Sequence, residues 1–169
     1  MFTLPNLDQR TRALMLEEIE HDINQNRLYI SPRLTSAGAR DYARNLQDAA
    51  RAGDVDSFTD DLRKPGQIET TELTKRGPKT MPHNAADTLA EGEFNRFYIR
   101  ALCRRAIDDG QELIVFRAKE VSNPRPESEA MIGAAKDPHK LLTDLRTNIG
   151  THTALGLPTP NSGLSVRLP

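Results

Sequence analysis

Apolar residues recur every three or four positions through the first third of the chain, as they do on the buried face of an amphipathic helix. In the first such stretch, Met15 and Ile19 lie on the apolar stripe. Four acidic residues of the same stretch are expected to face solvent: Glu17, Glu18, Glu20 and Asp22. Residue types that cap helix N-termini precede each stretch. The sequence therefore predicts three helices, capped by Asn6 or Asp8, by Thr35 or Ser36 and by Asp54, which extend to about residues 24, 52 and 62.

The pattern fails between residues 63 and 84 and then resumes. The failing stretch has three prolines, two glycines and no sustained period, which predicts an extended connector or arm. A long helix is expected to begin at Asn84 or Asp87 and to end before Gly110, followed by a buried strand over residues 113–116. Residues 122–128 read as a turn. A last helix, with Asp137 as its cap, is expected to run to about residue 146, before a tail with one terminal strand over residues 164–168.

These elements predict a mainly α fold with a small β element, that is, an α+β fold with amphipathic helices, a helix-strand unit, an extended connector and a C-terminal tail. Four regions are expected within one compact domain with arms. They are an N-terminal helical region (1–62), an extended connector or arm (63–84), a helix-strand-helix core region (85–149) and an extended tail (150–169).

Composition and charge limit the core and suggest where contacts lie. Only 37% of the 169 residues are hydrophobic and 5% are aromatic, so the core is expected to be small for the length of the chain. Residues 1–62 hold seven basic and eleven acidic residues, whereas residues 63–125 hold twelve basic and nine acidic ones. This division favours electrostatic self-complementarity or a local anionic contact over wholesale coating by nucleic acid.

The stretch EFNRFYIRALCRRAI, residues 93–107, concentrates both apolar and cationic chemistry. Phe94, Phe97 and Tyr98 follow the helical apolar stripe, and arginines recur every fourth residue beside them. The candidate residues for anion or partner contact are Arg96, Arg100, Arg104 and Arg105, with Lys75, Arg76 and Lys79 of the connector. The arginines could contact successive phosphates. Alternatively, they could pair with acidic groups of this chain, with their stems covering the edge of the core.

Signatures of catalysis and of cofactor binding are missing or incomplete. The single cysteine, Cys103, forms no intrachain disulfide and reads as a small buried hydrophobe. The four histidines have no metal-ligand spacing, no serine lies in a nucleophile elbow, and the glycines form no phosphate loop. Arg117-Ala118-Lys119-Glu120 is a faint, reversed echo of a nuclease motif. We expect no enzyme, no cofactor and no metal.

The stretch VFRAKEVSNPRPESEAMIG, which begins at residue 115, leaves two alternatives open. Its paired polar groups around a proline-fixed turn could line a pocket for a small ligand, or they could form a rigid surface loop whose charges satisfy each other. The N-terminus has no basic region followed by an apolar run, and no stretch approaches the length of a membrane span. The sequence thus predicts a soluble protein made in a reducing cytosol, with no membrane contact.

Three stretches together resemble small structural proteins of tailed phages and prophages, of the minor head or head-associated type. They are NLDQRTRALMLEEIE, then EFNRFYIRALCRRAI with the VFRAK strand after it, and the closing PTPNSGLSVRL. In that family a strand with a polar turn precedes a short helix and a proline-rich closing segment, whose place residues 158–168 occupy. The resemblance implies a virion component (minor capsid, decoration, head-associated or neck) assembled in the cytoplasm of a bacterial host. No residue role carries over.

The leading prediction is therefore a non-enzymatic structural or interaction protein that works through subunit contacts made by its arms. Its expected partners are phage capsid or neck subunits or further copies of the chain, because a small core can gain buried area from neighbouring subunits. The alternative is a nucleic-acid or anion-binding module that uses the arginine-rich helix face. A divalent-metal enzyme ranks last.

Overall fold

The computed structural model describes all 169 residues, and it contains six helices and five short strands. The helices are α1 (Gln9–Asn24), α2 (Ser36–Ala52), α3 (Val55–Arg63), α4 (Ala85–Asp109), α5 (Pro126–Met131) and α6 (Pro138–Thr147). The strands are β1 (Thr71–Thr74), β2 (Gly77–Thr80), β3 (Leu113–Arg117), β4 (Ala135–Lys136) and β5 (Leu164–Arg167). The predicted α+β class is confirmed.

Helix ends follow the local capping chemistry. The Asp8 side chain accepts a hydrogen bond from the Thr11 backbone N–H at 3.0 Å and so caps α1. Asp54 and Ser57 form a reciprocal capping box at the start of α3. Gly110 ends α4 in the left-handed conformation, with a φ of 65°, which a residue without a Cβ adopts at little cost.

Helix α4 is the centre of the molecule. It packs against α1, α3 and α6, and it also contacts β3 and β5. Its aromatic side chains Phe94, Phe97 and Tyr98 are almost fully buried, as are Ile99 and Leu102. Because neighbours surround the helix on nearly every side, even four of its polar residues are buried, namely Glu93, Asn95, Arg96 and Arg100. The helix therefore has no broad solvent-facing side.

A three-stranded antiparallel sheet packs beside α4, with the strand order β4-β3-β5. Strand β3 is central, and Val115 pairs with Val166 of β5 in the register that buries both side chains. The C-terminal residues thus return to the core, where the Asn95 amide donates to the Leu164 carbonyl at 2.8 Å and the Ser165 hydroxyl to the Asn95 carbonyl oxygen at 2.6 Å. Much of the tail that was expected to be extended is fixed by these contacts.

The connector contains a second, two-stranded sheet. Strands β1 and β2 pair as an antiparallel hairpin with Lys75 and Arg76 in its turn. The sequence pattern does not predict this hairpin, because its turn lacks the usual asparagine-glycine signal and Pro78 lies within β2. Helix α5 was likewise predicted as a turn, although Pro126 occupies the first helical position, where its missing N–H does no harm. None of the six helices is long and apolar enough to span a membrane.

Candidate functional site

Arg100 lies at the centre of a buried ion-pair network. Its side chain is fully buried, and it approaches Glu18 and Asp22 of α1 with N–O distances of 2.6 Å to each carboxylate. The guanidinium group binds Asp22 in a bidentate way and also lies 4.9 Å above the centre of the Phe97 ring. Burial alone would lower the pKa of Arg100, but the hydrogen bonds that it donates to Asp22 and the charge of both acids hold the pKa above its ordinary value. Arg100 joins α4 to α1.

Glu18 and Asp22 are therefore not the solvent-facing residues that the sequence predicted. Both carboxylates are buried because Arg100 supplies their counter-charge. Glu18 also accepts from Arg146 of α6 at 2.5 Å, so one carboxylate connects three helices. Burial alone would raise the pKa of Glu18, but the hydrogen bond from Arg146 and the charge of Arg100 bring it below the ordinary value. Glu17 and Glu20 are exposed, as expected.

Arg96 holds the last turn of α6 and the residues after it. The side chain is almost fully buried, and it donates to the backbone carbonyls of Leu145, Asn148 and Gly150. Its Nε lies 3.5 Å from Oε1 of Glu93. Since Arg96 and Arg100 are enclosed by groups of the same chain, neither forms the exposed cationic edge expected of this helix.

Arg104 and Arg105 are also paired within the chain, nearer to its surface. Arg104 contacts Glu17 at 2.7 Å and Glu18 at 3.4 Å. Arg105 contacts Asp8 at 2.7 Å and donates to the Thr11 hydroxyl at 2.7 Å. All four arginines of the predicted row therefore have partners in this chain, mostly in its acidic first third. The three connector residues of the predicted set lie elsewhere, on the β1–β2 hairpin.

The hairpin carries an exposed tip on a fixed base. At the base, Glu72 binds Arg33 at 2.9 Å and its cross-strand neighbour Lys79 at 3.2 Å. At the tip, Lys75 and Arg76 have no acidic partner within ion-pair distance. Leu73 is 84% exposed, the largest exposure of any large hydrophobic residue apart from the N-terminal methionine. A leucine and two cations are thus held out from the molecule on a short, anchored β-hairpin.

A cleft of about 580 Å³ lies between this hairpin and the segment 158–161. Its lining comes from β1, from residues 29–33, from residues 158–161 and from the first half of α4. The space beside Gly92 is open, since a Cβ at this position would contact nothing within 4 Å. Pockets for small ligands have volumes in this range and present a few convergent polar groups. The sequence did not predict this cleft, whose sides come from residues far apart along the chain.

Glu93 is one of the residues that line the cleft, and its carboxyl group is only partly paired. The residue is 4% exposed, and its Oε2 is buried without a hydrogen-bond partner in the protein. Burial raises the pKa of Glu93 to about 7, although the charge of Arg96 opposes this rise. The Tyr42 hydroxyl is another buried polar group without a partner, and burial and the charge of Glu93 raise the pKa of Tyr42. The sequence held one signal for such a residue, an acid in a helix with apolar residues on nearly every face.

Other candidate chemistry from the sequence has local structural partners. Cys103 is fully buried, and burial raises the pKa of its thiol, which disfavours the reactive thiolate. Lys119 pairs with Glu91, and Arg117 pairs with Glu129. These contacts pair charged side chains in the stretch that begins at residue 115. For this stretch the sequence left a ligand pocket and a rigid surface loop as alternatives. No three His, Cys, Asp or Glu side chains are grouped so that they could hold a metal ion.

Comparisons with known proteins add no relative. Neither a protein-family model nor a curated protein nor a solved structure matches the chain.

Proposed function

We propose that this protein is a non-enzymatic interaction protein, a virion component of a tailed phage, and that it contacts neighbouring subunits through the tip of its β1–β2 hairpin. The proposed role in a phage particle rests on the resemblance of three stretches of sequence to minor head and head-associated proteins. The contact surface rests on one observation, the exposure of Leu73 beside two unpaired cations.

The hairpin tip suits a protein contact for physical reasons. Covering a leucine that is 84% exposed removes apolar surface from water, which contributes roughly 1.5–3 kcal/mol. The adjacent cations favour an acidic rim on the partner and oppose contact with other basic surfaces. Because the base is tied to Arg33 through Glu72, the tip is positioned before it meets a partner, which reduces the entropy lost on binding.

The arginine-rich helix is a weaker candidate for the same contact. An outside partner would have to replace the carboxylates that already hold Arg100, and opening a buried pair leaves charges without partners. The hairpin tip requires no such rearrangement. Making the arginine-rich helix available to a partner therefore costs more free energy than making the hairpin tip available.

The direct test follows the protein into assembled particles. A tagged chain expressed during particle assembly is expected to cofractionate with purified particles, and a Leu73→Ser/Lys75→Ser/Arg76→Ser variant is expected to lose at least ten-fold in the amount retained. A matched control, Lys136→Ser/Lys140→Ser, removes two cations elsewhere and should be retained like the wild type. Absence of the wild-type chain from particles would contradict the virion role, and full retention of the hairpin variant would contradict the proposed contact.

A second candidate function, contact with nucleic acid, is favoured by the unpaired Lys75 and Arg76. Two phosphate contacts predict a salt dependence with a slope of only about −2 and correspondingly weak affinity. Fluorescence anisotropy with duplex DNA at low and moderate salt measures this slope. Weak binding at low salt with a slope of about −2, lost on Lys75→Ser/Arg76→Ser substitution, would favour nucleic acid over protein as the partner.

A further inference from the structure

The register of the β1–β2 hairpin determines which of its backbone groups face outward. A two-residue turn closes on the pair Thr74 and Gly77, and a closing pair of this kind is hydrogen-bonded. In an antiparallel ladder such pairs alternate with pairs whose N–H and C=O groups point away from the partner strand. Leu73 and Pro78 form the next pair, and Thr71 lies two residues further from the turn. The backbone groups of these three residues are therefore directed away from the hairpin.

The outer edge of β1 is paired for only part of its length. Just before the strand, the Glu69 N–H donates to the Arg33 carbonyl at 2.9 Å. Thr71 and Leu73 continue the same edge, because alternate residues of a strand direct their backbone groups to one side. No backbone hydrogen bond outside the hairpin uses the N–H or C=O of either residue. Both residues line the cleft together with residues 29–33, so the open part of the edge lies along the cleft.

The two edges of the hairpin differ in their protection against strand addition. On the edge of β2, Pro78 has no N–H to donate, and the charged Lys79 follows it. Proline and lysine are the residues with which soluble proteins block pairing at exposed edges. On the edge of β1, Thr71 and Leu73 are uncharged and keep their N–H groups, and Leu73 is 84% exposed. A further strand can therefore add to β1 but not to β2.

We propose that an extended segment of a partner protein adds to β1 as a further antiparallel strand and lies along the cleft. This inference rests on the proposed function, because it specifies how the hairpin holds its partner. Main-chain hydrogen bonds to Thr71 and Leu73 provide affinity, and neighbouring side chains provide specificity. Lys75 and Arg76 favour an acidic residue where the segment passes the tip. The partner segment is thus extended, acidic at its N-terminal end and apolar opposite Leu73.

A short peptide, acetyl-DEVTVT-amide, serves as the probe, because an antiparallel strand would bring its acidic end to the hairpin tip. Hydrogen exchange of the full chain is followed by NMR with and without the peptide. Without it, the amides of Thr71 and Leu73 should exchange faster than those of Glu72 and Thr74, which are hydrogen-bonded within the hairpin. Saturating peptide should slow exchange at Thr71 and Leu73 by about ten-fold, the effect expected of a backbone hydrogen bond.

Two control peptides separate backbone pairing from side-chain attraction. The same sequence N-methylated at alternate residues, prepared in both alternations, keeps the side chains and removes half of the donors. At least one of the two methylated peptides should lose binding, because its methyl groups would lie against β1. The peptide KKVTVT has the opposite charge at its N-terminal end and should bind more weakly than DEVTVT, because it meets the cations at the tip.

A matched pair of variants tests the same edge in assembled particles. Thr71→Pro removes an outward N–H from β1 without changing the tip side chains, and Thr80→Pro does the same on β2. Retention of Thr71→Pro in particles should fall about ten-fold, whereas Thr80→Pro should be retained like the wild type. Thermal unfolding shows whether each variant is folded. The exchange measurement uses the wild type, so it stands even if Thr71→Pro unfolds.

Four results would overturn strand addition. They are the absence of peptide binding, peptide binding that leaves exchange at Thr71 and Leu73 unchanged, equal binding of both methylated peptides and DEVTVT, and full retention of folded Thr71→Pro. Protection of the same two amides that rises with protein concentration, without peptide, would assign the edge to a second copy of the chain instead. Loss of only the tip variant from particles would leave the tip contact intact. Wild-type chain that is absent from particles contradicts the phage role, and the peptide measurements then decide strand addition by themselves.

Discussion

Arg100 shows why a charged residue can be part of a hydrophobic core. Its side chain is fully buried, yet all of its charge is balanced by Glu18 and Asp22, with N–O distances of 2.6 Å to each. Such a pair adds little net stability compared with a well-packed apolar replacement, but the loss of one member leaves an uncompensated buried charge. The network therefore specifies how α1 docks on α4 more than it strengthens the docking.

Replacing Arg100 with methionine tests this reading. The Arg100→Met variant should lose roughly 3–5 kcal/mol in the free energy of unfolding, because Asp22 keeps its charge in the interior. Arg51→Met removes an exposed partner of Asp48 and should cost at most about 1 kcal/mol. Denaturant unfolding measures both. The double variant Arg100→Met/Asp22→Leu should recover more than half of the loss, and no recovery would argue against an orphaned charge as its cause.

Glu93 predicts a pH dependence of opposite sign to that of an ordinary ion-paired carboxylate. Its pKa is about 7 in the folded protein, against an ordinary value of 4.5, so the folded state binds more protons between these values. Stability from this group is present below pH 4.5 and is lost as the pH rises to about 7. The difference of about 2.5 pKa units corresponds to roughly 3 kcal/mol.

The Glu93→Gln variant should therefore be more stable than the wild type at pH 8, by up to roughly 3 kcal/mol, and close to it at pH 4.5. Unfolding measured across this range, with Glu91→Gln as the control, reads out the difference. A variant that is less stable at pH 8 would show that the ionised carboxyl is stabilised in the native protein.

At the scale of elements, two helical glycines predict opposite effects of one substitution. A Cβ at Gly38 in α2 would lie 2.1 Å from the Gln67 backbone carbonyl oxygen, so the backbone at the base of the hairpin would have to move. Gly38→Ala should cost about 1–3 kcal/mol in spite of the higher helix propensity of alanine. Gly92→Ala meets no atom and should stabilise α4 by about 0.5–1 kcal/mol. Thermal unfolding of the pair distinguishes them, and equal effects would contradict the tight packing at Gly38.

Helices were predictable from the sequence where caps and periodicity agreed. Asp8, Asp54 and Gly110 mark ends that the structure places as expected. The β1–β2 hairpin and α5 were missed because proline and glycine in their sequences read as breakers rather than as parts of a turn or a first helical residue. The pairing of β3 with β4 and β5 joins residues far apart along the chain, which local patterns do not specify.

The candidate site was less predictable than the fold. The arginine row stands out in the sequence, but its periodicity alone does not decide whether the arginines face solvent or the carboxylates of α1. That depends on how α1 docks on α4. Lys75, Arg76 and Lys79 were predicted to add to the same cationic surface, but they lie apart from the arginines on the hairpin, where Lys79 pairs with Glu72. Glu93 did not stand out in the sequence, because the groups that act on its carboxyl include Asp22 of α1 and Tyr42 of α2, which lie far from it along the chain.

At the scale of the whole molecule, the uneven charge along the sequence is largely used internally. The acidic first third supplies the partners of Arg100, Arg104 and Arg105, so the two oppositely charged regions meet within the fold. The C-terminal residues also have partners within the chain, because β5 forms an edge of the three-stranded sheet. The hairpin tip then stands out as cationic and apolar surface with no partner in the chain. On this account, contacts between molecules are concentrated there.

Retention in assembled particles tests this central claim most directly. Particles purified from cells that express the tagged wild-type chain should contain it, and the Leu73→Ser/Lys75→Ser/Arg76→Ser variant should be retained at least ten-fold less while unfolding at the same temperature as the wild type. Wild-type chain that never associates with particles, or a folded hairpin variant that is retained in full, would contradict the account.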